Sequence, residues 1–116
     1  MRWDNVQYSV YIITNQSKSV LYTGVTNNLQ QRLIEHYLDR LEKKSFAGKY
    51  NAFYLLYYES YQYIDIAIAR EKEIKSWSRT KKLNLIKSLN PNLDFMNFEV
   101  FDQWPPVDII HRRDIE

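Results

Sequence analysis

Residues 8–36, YSVYIITNQSKSVLYTGVTNNLQQRLIEH, decide the fold of this chain. Residues 8–13 and 20–23 are rich in β-branched and aromatic side chains and predict two strands. The polar run 15–18 between them predicts the loop of an antiparallel hairpin. With a four-residue loop, Tyr11 falls directly opposite Tyr22, and directly opposed residues point to the same face of a sheet. We therefore expect two phenol side chains to stand side by side.

A helix is predicted directly after this hairpin. Gly24 is expected to end the second strand, where a residue without Cβ permits a sharp turn or a close backbone approach. Residues 26–28 all offer suitable caps for a helix that begins near Leu29. Arg32 and His36 lie four residues apart on that helix, so they share one column of its surface. Two tyrosines, an arginine and a histidine are thus predicted to converge beside the hairpin.

This pattern resembles the GIY-YIG nuclease family. Residues 10–12 match its first signature and residues 22–24 its second, with departures at Val10 and Thr23. Arg32 falls ten residues after the second tyrosine and His36 four residues further, as the family motif requires. The resemblance covers about residues 7–91. Within the family the chain looks most like the small stand-alone members, which are YhbQ-like or similar to the N-terminal domain of UvrC.

The remaining sequence predicts one more strand and further helices. Residues 51–59 are almost continuously apolar, which is typical of a central strand covered on both faces. Residues 45–49 predict a loop, whereas residues 64–77 and a segment that starts near 78–80 predict helices. The expected fold class is α/β, with a small three-stranded antiparallel sheet flanked by helices in the order β-β-α-β-α-α. We expect a nuclease-like domain over residues 1–91 and an acidic, aromatic extension over 92–116 that packs partly on it.

One acidic residue interrupts the apolar stripe of the helix predicted over residues 64–77. Glu71 falls among Ala67, Ile68 and Ile74, on the face expected to be buried. An ionised carboxylate is costly to bury unless it is paired or bound to a metal. An ion pair with Arg32 or with a lysine is one interpretation, as is a position at the edge of the core. The family resemblance implies another, in which Glu71 holds one divalent cation, Mg²⁺ or Mn²⁺.

Composition limits the class of protein. A chain of 116 residues fits one domain, and the absence of cysteine excludes disulfides and thiolate metal sites. The sequence has no apolar run long enough to cross a bilayer and no signal-peptide pattern near Met1, so we expect a cytoplasmic protein.

Charge favours a polyanionic partner. Residues 1–91 carry 14 Lys and Arg against 8 Asp and Glu, whereas residues 92–116 carry 2 against 6. A basic body suits the phosphate backbone of DNA. The residues expected to contact that backbone are Lys75, Arg79, Lys81 and Lys82.

The resemblance implies a metal-dependent endonuclease that cleaves DNA with low sequence specificity, in DNA repair or processing. In that interpretation Tyr11 acts as the general base or orients the attacking water, and Tyr22 positions the water or the phosphate. Arg32 holds the phosphate, and His36 transfers a proton or binds phosphate. Two other functions stay open: a catalytically weak or inactive nucleic-acid-binding module on the same fold, and a protein-interaction adaptor that uses the acidic extension.

Two positions leave the family pattern incomplete. The asparagine that relatives carry downstream of the glutamate has no clear equivalent, although Asn84 is a candidate. Many relatives carry a lysine where this chain has Val25, and Lys18 is one residue that could compensate for it. These gaps concern catalytic efficiency more than mechanism.

Overall fold

The computed structural model describes residues 7–106, which fold around one three-stranded sheet. The strands are antiparallel and lie in the order β2-β1-β3. The predicted fold class, a three-stranded antiparallel sheet with flanking helices, is confirmed. No helix within 7–106 is long and apolar enough to cross a membrane. The elements are β1 (Tyr8–Thr14), β2 (Leu21–Thr26), α1 (Leu29–Glu42), α2 (Phe46–Lys49), β3 (Tyr54–Tyr61), α3 (Ile64–Lys75), α4 (Arg79–Leu89) and α5 (Asn97–Val100).

The sheet separates two apolar clusters. Successive side chains of a strand point to opposite faces, so Val10 and Ile12 of β1 face α3 and α4, whereas Tyr11 and Ile13 face α1 and α2. The first cluster adds Ala67, Ile74 and Ile86, and the second adds Leu33 and Ala47. We call these sides of the sheet the α3 face and the α1 face. Arg32 and His36 therefore belong to the α1 face, and Glu71 belongs to the α3 face.

The prediction that the third strand is central was wrong. β1 is central, and β3 is an edge strand. Its apolar run has two other causes: helices cover both of its faces, and a later segment covers its open edge. The side chain of Asn97 accepts a hydrogen bond from the backbone N–H of Leu55 at 2.7 Å, and Met96 donates to the carbonyl of Leu55 at 2.7 Å. Because its faces and its edge are all covered, the edge strand β3 is as apolar as a central strand.

Residues 45–49, predicted as a loop, contain the short helix α2. The Ser45 side chain accepts a hydrogen bond from the backbone N–H of Gly48 and caps the helix. The helix lies close against α1, because a Cβ on Gly48 would stand 2.3 Å from a carboxylate oxygen of Asp39. This contact brings the α2 side chains toward the end of α1.

The acidic extension packs on the body as far as the structure describes it. Phe95 joins the cluster on the α3 face, while Met96, Phe101 and Trp104 join the cluster on the α1 face. Phe98 of the same segment is 65% exposed. The expected fraying of the last residues lies outside residues 7–106, and the domain boundary at residue 91 stays a prediction. The inward packing considered for Leu89 on α4 was also wrong, since that side chain is 71% exposed.

Candidate active site

Both tyrosines of the hairpin point to the α1 face, but they are not directly opposed. Tyr11 pairs with Gly24 and Ile13 pairs with Tyr22, so the predicted register was wrong by two residues. The loop spans residues 15–20, because the Asn15 side chain accepts hydrogen bonds from the backbone N–H groups of residues 19 and 20. A shift of two residues keeps every side chain on its face. The predicted convergence of the two rings is therefore retained, with centroids 6.5 Å apart.

Gly24 provides space for Tyr11. It does not end the second strand as predicted, since β2 continues to Thr26 and Gly24 has no left-handed backbone conformation. A Cβ on Gly24 would lie 2.4 Å from the Tyr11 hydroxyl oxygen and 2.5 Å from the ring carbon that carries it. Of the two roles expected for this glycine, the turn is wrong and the close approach is correct. The Tyr11 ring thus crosses the backbone of β2.

His36 of α1 is hydrogen-bonded to Tyr11. The Tyr11 hydroxyl oxygen lies 2.8 Å from His36 Nε2, and both side chains are buried. Burial, assisted by the positive charge of Arg32, lowers the pKa of His36 to about 4, so the imidazole is neutral at pH 7. A neutral imidazole accepts at one nitrogen, and we assign Nε2 as the acceptor of the Tyr11 proton. The Tyr22 ring lies edge-on to His36, with centroids 5.3 Å apart.

Burial and the charge of Arg32 change the pKa of Tyr11 in opposite directions. Burial raises the pKa of Tyr11 to about 12, although the charge of Arg32 partly opposes this increase. Arg32 donates a hydrogen bond to Glu35 at 2.9 Å, and its side chain is 38% exposed. Burial alone would lower the pKa of Arg32, but the hydrogen bond to Glu35 and the charges of the tyrosines raise it. Arg32 therefore stays cationic and partly open to a ligand.

Glu71 is buried on the α3 face and forms an ion pair. It is 8% exposed, and one carboxylate oxygen lies 2.6 Å from the ammonium of Lys75. The pairing with a lysine that the sequence left open is thus observed, and the alternative pairing with Arg32 is not. The structure does not bring Glu71 into contact with Tyr11 or Tyr22, because both of these tyrosines lie on the α1 face.

Helix α3 runs along β2 on the other face of the sheet. Ile68 near the start of α3 and Val25 near the end of β2 line the same small pocket, whereas Arg79, at the start of α4, donates to the carbonyl of Ser19 just before β2 begins. Helix α3 therefore runs antiparallel to β2. Because β2 is an edge strand, a phosphate at that edge is accessible from both faces of the sheet.

On the α3 face, Glu71 offers one carboxylate of the kind that binds a divalent cation. Residues 7–106 contain no group of three or more His, Cys, Asp or Glu that could hold a metal. A hard cation such as Mg²⁺ is commonly bound by one or two carboxylates together with water and phosphate. The Thr23 hydroxyl, on the same face of β2, is buried without a hydrogen-bond partner in this part of the chain. Thr23 was not predicted as a site residue, because its only signal in the sequence is a departure from the family signature.

The residues expected to bind the nucleic acid backbone are largely engaged within the protein. Lys75 forms the ion pair described above, and Arg79 donates to backbone carbonyls of the β1–β2 loop. The ammonium of Lys81 lies 4.4 Å from the centroid of the Trp77 ring, and Lys82 is half-buried. Their contact with nucleic acid stays a prediction.

The two candidates for the missing family positions lie elsewhere. Asn84 is an exposed residue of α4. The Lys18 ammonium lies 5.1 Å from the centroid of the Phe95 ring, and Phe95 packs on the α3 face. Within residues 7–106, neither side chain forms a hydrogen bond or an ion pair with Tyr11, Tyr22 or Glu71.

Comparisons with known proteins identify the family and the fold of this chain. The family model for the GIY-YIG catalytic domain matches residues 7–84. A UPF0213 protein of Syntrophus aciditrophicus is 38% identical over 90 residues, which cover 71% of this chain and 91% of that protein. A UPF0213 protein of Staphylococcus aureus is 36% identical over 78 residues, 67% of this chain and 92% of that protein. The solution NMR structure of a UPF0213 protein from Bacillus halodurans shares the fold with a TM-score of 0.50 at 23% identity, covering 79% of this chain and 95% of that one.

Proposed function

The chain belongs to the GIY-YIG catalytic-domain family, and from that premise we propose that it is a divalent-metal-dependent endonuclease. Its substrate is DNA, whose phosphodiester bonds it hydrolyses with low sequence specificity in repair or processing. A cytoplasmic location is part of the same proposal. The observation that carries it is the buried hydrogen bond between Tyr11 and neutral His36, beside Tyr22 and a partly exposed Arg32.

The Tyr11–His36 pair supports a proton relay. In hydrolysis the water oxygen bonds to phosphorus, the bond from phosphorus to one sugar oxygen breaks, and that oxygen leaves with the electron pair and takes up a proton from solvent. With a pKa near 12, Tyr11 is protonated at pH 7 and is not a preformed base. Tyr11 can instead receive the proton of the water while it passes its own proton to Nε2 of His36. This relay requires a neutral imidazole, which burial provides.

Arg32 and Tyr22 are proposed to hold the phosphate. A guanidinium presents paired donors that match two phosphate oxygens, and Arg32 keeps exposed surface while Glu35 fixes its orientation. Negative charge develops on those oxygens during attack, so a fixed cation stabilises the transition state more than the ground state. Tyr22 is half-buried and its ring packs edge-on against His36, so we assign its hydroxyl group to the same phosphate.

Glu71 is proposed to hold the cation. When bound, a divalent ion supplies positive charge to the phosphate oxygens and the leaving group. The ammonium of Lys75 occupies the same carboxylate in the structure, so cation and ammonium compete for it. We therefore expect weak binding of the cation to the free protein and tighter binding when substrate phosphate adds ligands.

The test is cleavage of single-stranded, duplex and branched DNA and of RNA, with Mg²⁺, with Mn²⁺ or with EDTA. We expect metal-dependent cleavage of DNA, at least about 100-fold loss of rate in Glu71→Gln, and little change in DNA affinity measured in EDTA. Glu73→Gln is the matched control, because Glu73 lies on the same helix but is exposed.

Two outcomes oppose the proposal. Wild-type protein that binds DNA yet cleaves nothing with either ion would assign the chain to the nucleic-acid-binding modules. Cleavage that survives both EDTA and Glu71→Gln would exclude the metal mechanism.

A further inference from the structure

Aromatic rings continue outward from the candidate active site to the surface. The ring of Phe46 stacks on Tyr22 with centroids 6.5 Å apart and an interplanar angle of 21°. Tyr50 follows, with its centroid 4.8 Å from that of Phe46. Phe46 is 52% exposed and Tyr50 is 41% exposed. We call Phe46 and Tyr50 the aromatic ladder. The aromatic ladder connects Tyr22, which we propose positions the phosphate, to the exposed surface of the protein.

A cavity of about 650 Å³ adjoins the outer end of the aromatic ladder. Tyr50 forms one wall, the end of α1 forms another, and residues 15–17 of the β1–β2 loop close it. The side-chain amides of Gln16 and Asn51 line the cavity together with the rings of Phe53 and Tyr54. Ring faces and amide groups are the chemistry with which proteins stack and hydrogen-bond a nucleic acid base. The cavity therefore fits an aromatic, hydrogen-bonding guest.

Positive charge surrounds the cavity and the ladder. Arg40 lines the cavity and forms no ion pair with a carboxylate of residues 7–106; its guanidinium stacks 3.7 Å from the Tyr37 ring centroid. The ammonium of Lys49 lies 5.8 Å from the Tyr50 ring centroid, and that of Lys43 lies 3.4 Å from the side-chain oxygen of Asn51. The guest that these cations favour is an anion as well as an aromatic group. A nucleotide combines both properties.

We propose that the aromatic ladder stacks an unpaired base of the substrate strand and that the adjoining cavity receives the nucleotide, with Arg40 and Lys49 toward its phosphates. This inference rests on the proposed function and assigns its substrate class: DNA that presents unpaired bases next to the cleaved bond. A base within a duplex has no free face to stack on Tyr50. Stacking tolerates every base, because each has a π face, so selectivity for structure arises without selectivity for sequence.

The test measures binding of the full-length protein without cleavage, in EDTA. The probes are a 12-nucleotide thymidine oligonucleotide that carries one 2-aminopurine, whose fluorescence falls on stacking, and a blunt duplex of the same length. We expect Phe46→Leu and Tyr50→Leu to weaken single-strand binding by about 5- to 100-fold and to reduce the quenching, with little effect on the duplex. Tyr50→Phe keeps the ring and should bind as wild type does. The matched controls are Phe98→Leu and Tyr63→Leu, at rings that are 65% and 59% exposed on other parts of the surface.

The outcomes separate this inference from the function on which it rests. Equal binding and quenching by the ladder variants and wild type would overturn the inference, even if wild type cleaves DNA. Ring-dependent binding by a protein that cleaves nothing would support the inference and contradict the nuclease. If the ladder variants instead abolish a dimer seen in sedimentation, without changing oligonucleotide binding, the guest is a second copy of the chain and the inference is wrong.

Discussion

The Tyr11 ring fits against β2 only because residue 24 on that strand is a glycine. Any side chain at Gly24 would meet the phenol at its hydroxyl oxygen, and His36 of α1 holds that oxygen from the other side at 2.8 Å. The hydroxyl group is therefore fixed by a strand and a helix at once. Burial raises its pKa to about 12 and lowers the pKa of His36 to about 4, so both groups are neutral over the usual pH range.

The neutral state of His36 predicts a loss of stability in mild acid. Between pH 6.5 and about 4, His36 takes up a proton in the unfolded chain but stays neutral in the folded one. The unfolded state then binds more protons, so the free energy of unfolding falls as the pH decreases through this window, by up to about 3 kcal/mol. Urea denaturation at a series of pH values measures this slope.

His36→Gln should flatten that slope relative to wild type. Carboxylates contribute the same slope to both proteins. An identical pH dependence in wild type and His36→Gln would contradict the neutral buried imidazole.

Helix α3 is anchored on β3 next to the residue proposed to hold the cation. Glu59 of β3 accepts two hydrogen bonds from Arg70, at 2.9 and 3.0 Å, and two more from the hydroxyl groups of Tyr57 and Tyr61, both at 2.5 Å. Burial alone would raise the pKa of Glu59, but these hydrogen bonds hold it below its usual value. Since Arg70 precedes Glu71, this network fixes the rotation of α3 and with it the direction of the Glu71 side chain.

The edge of β3 depends on one buried amide. Asn97 is 1% exposed; it accepts from the backbone of Leu55 and donates to the carbonyl of Phe53 at 3.0 Å. Asn97→Ala leaves both backbone groups without this partner, and we expect the free energy of unfolding to fall by about 2–4 kcal/mol in urea denaturation. Asn92→Ala, at an exposed residue of the same segment, should cost less than about 0.5 kcal/mol. Equal losses in the two variants would show that the amide does not hold the edge.

Local patterns predicted the three strands and the helices α1, α3 and α4, but not the short helices α2 and α5 or the contacts between residues distant in sequence. The strand composition, the cap before α1 and the four-residue spacing of Arg32 and His36 all follow from neighbouring residues. The edge position of β3 did not follow, because Asn97 supplies its covering from 42 residues away. The hairpin register was also predicted wrongly, because hydrogen bonds to the Asn15 side chain extend the loop from four residues to six. The hydrogen bond that pairs His36 with Tyr11 depends on how α1 packs on the sheet.

The proposed functional residues lie on both faces of the sheet, on either side of the edge strand β2. The α1 face contributes Tyr11, Tyr22, Arg32 and His36, and the α3 face contributes Glu71. The aromatic ladder extends the α1 face beyond this edge. An edge strand thus connects the proposed proton relay, the proposed cation ligand and the proposed base-binding surface.

The measurement that tests the central claim most directly is the single-turnover rate of DNA cleavage, with saturating protein and Mg²⁺, in wild type and in Tyr11→Phe. Removing only the hydroxyl breaks the bond to His36 and the proton relay, but keeps the ring that packs over Gly24. We predict a rate at least about 100-fold below that of wild type, with similar thermal stability, whereas Tyr58→Phe on the neighbouring strand cleaves normally. Cleavage by Tyr11→Phe at the wild-type rate would contradict the account.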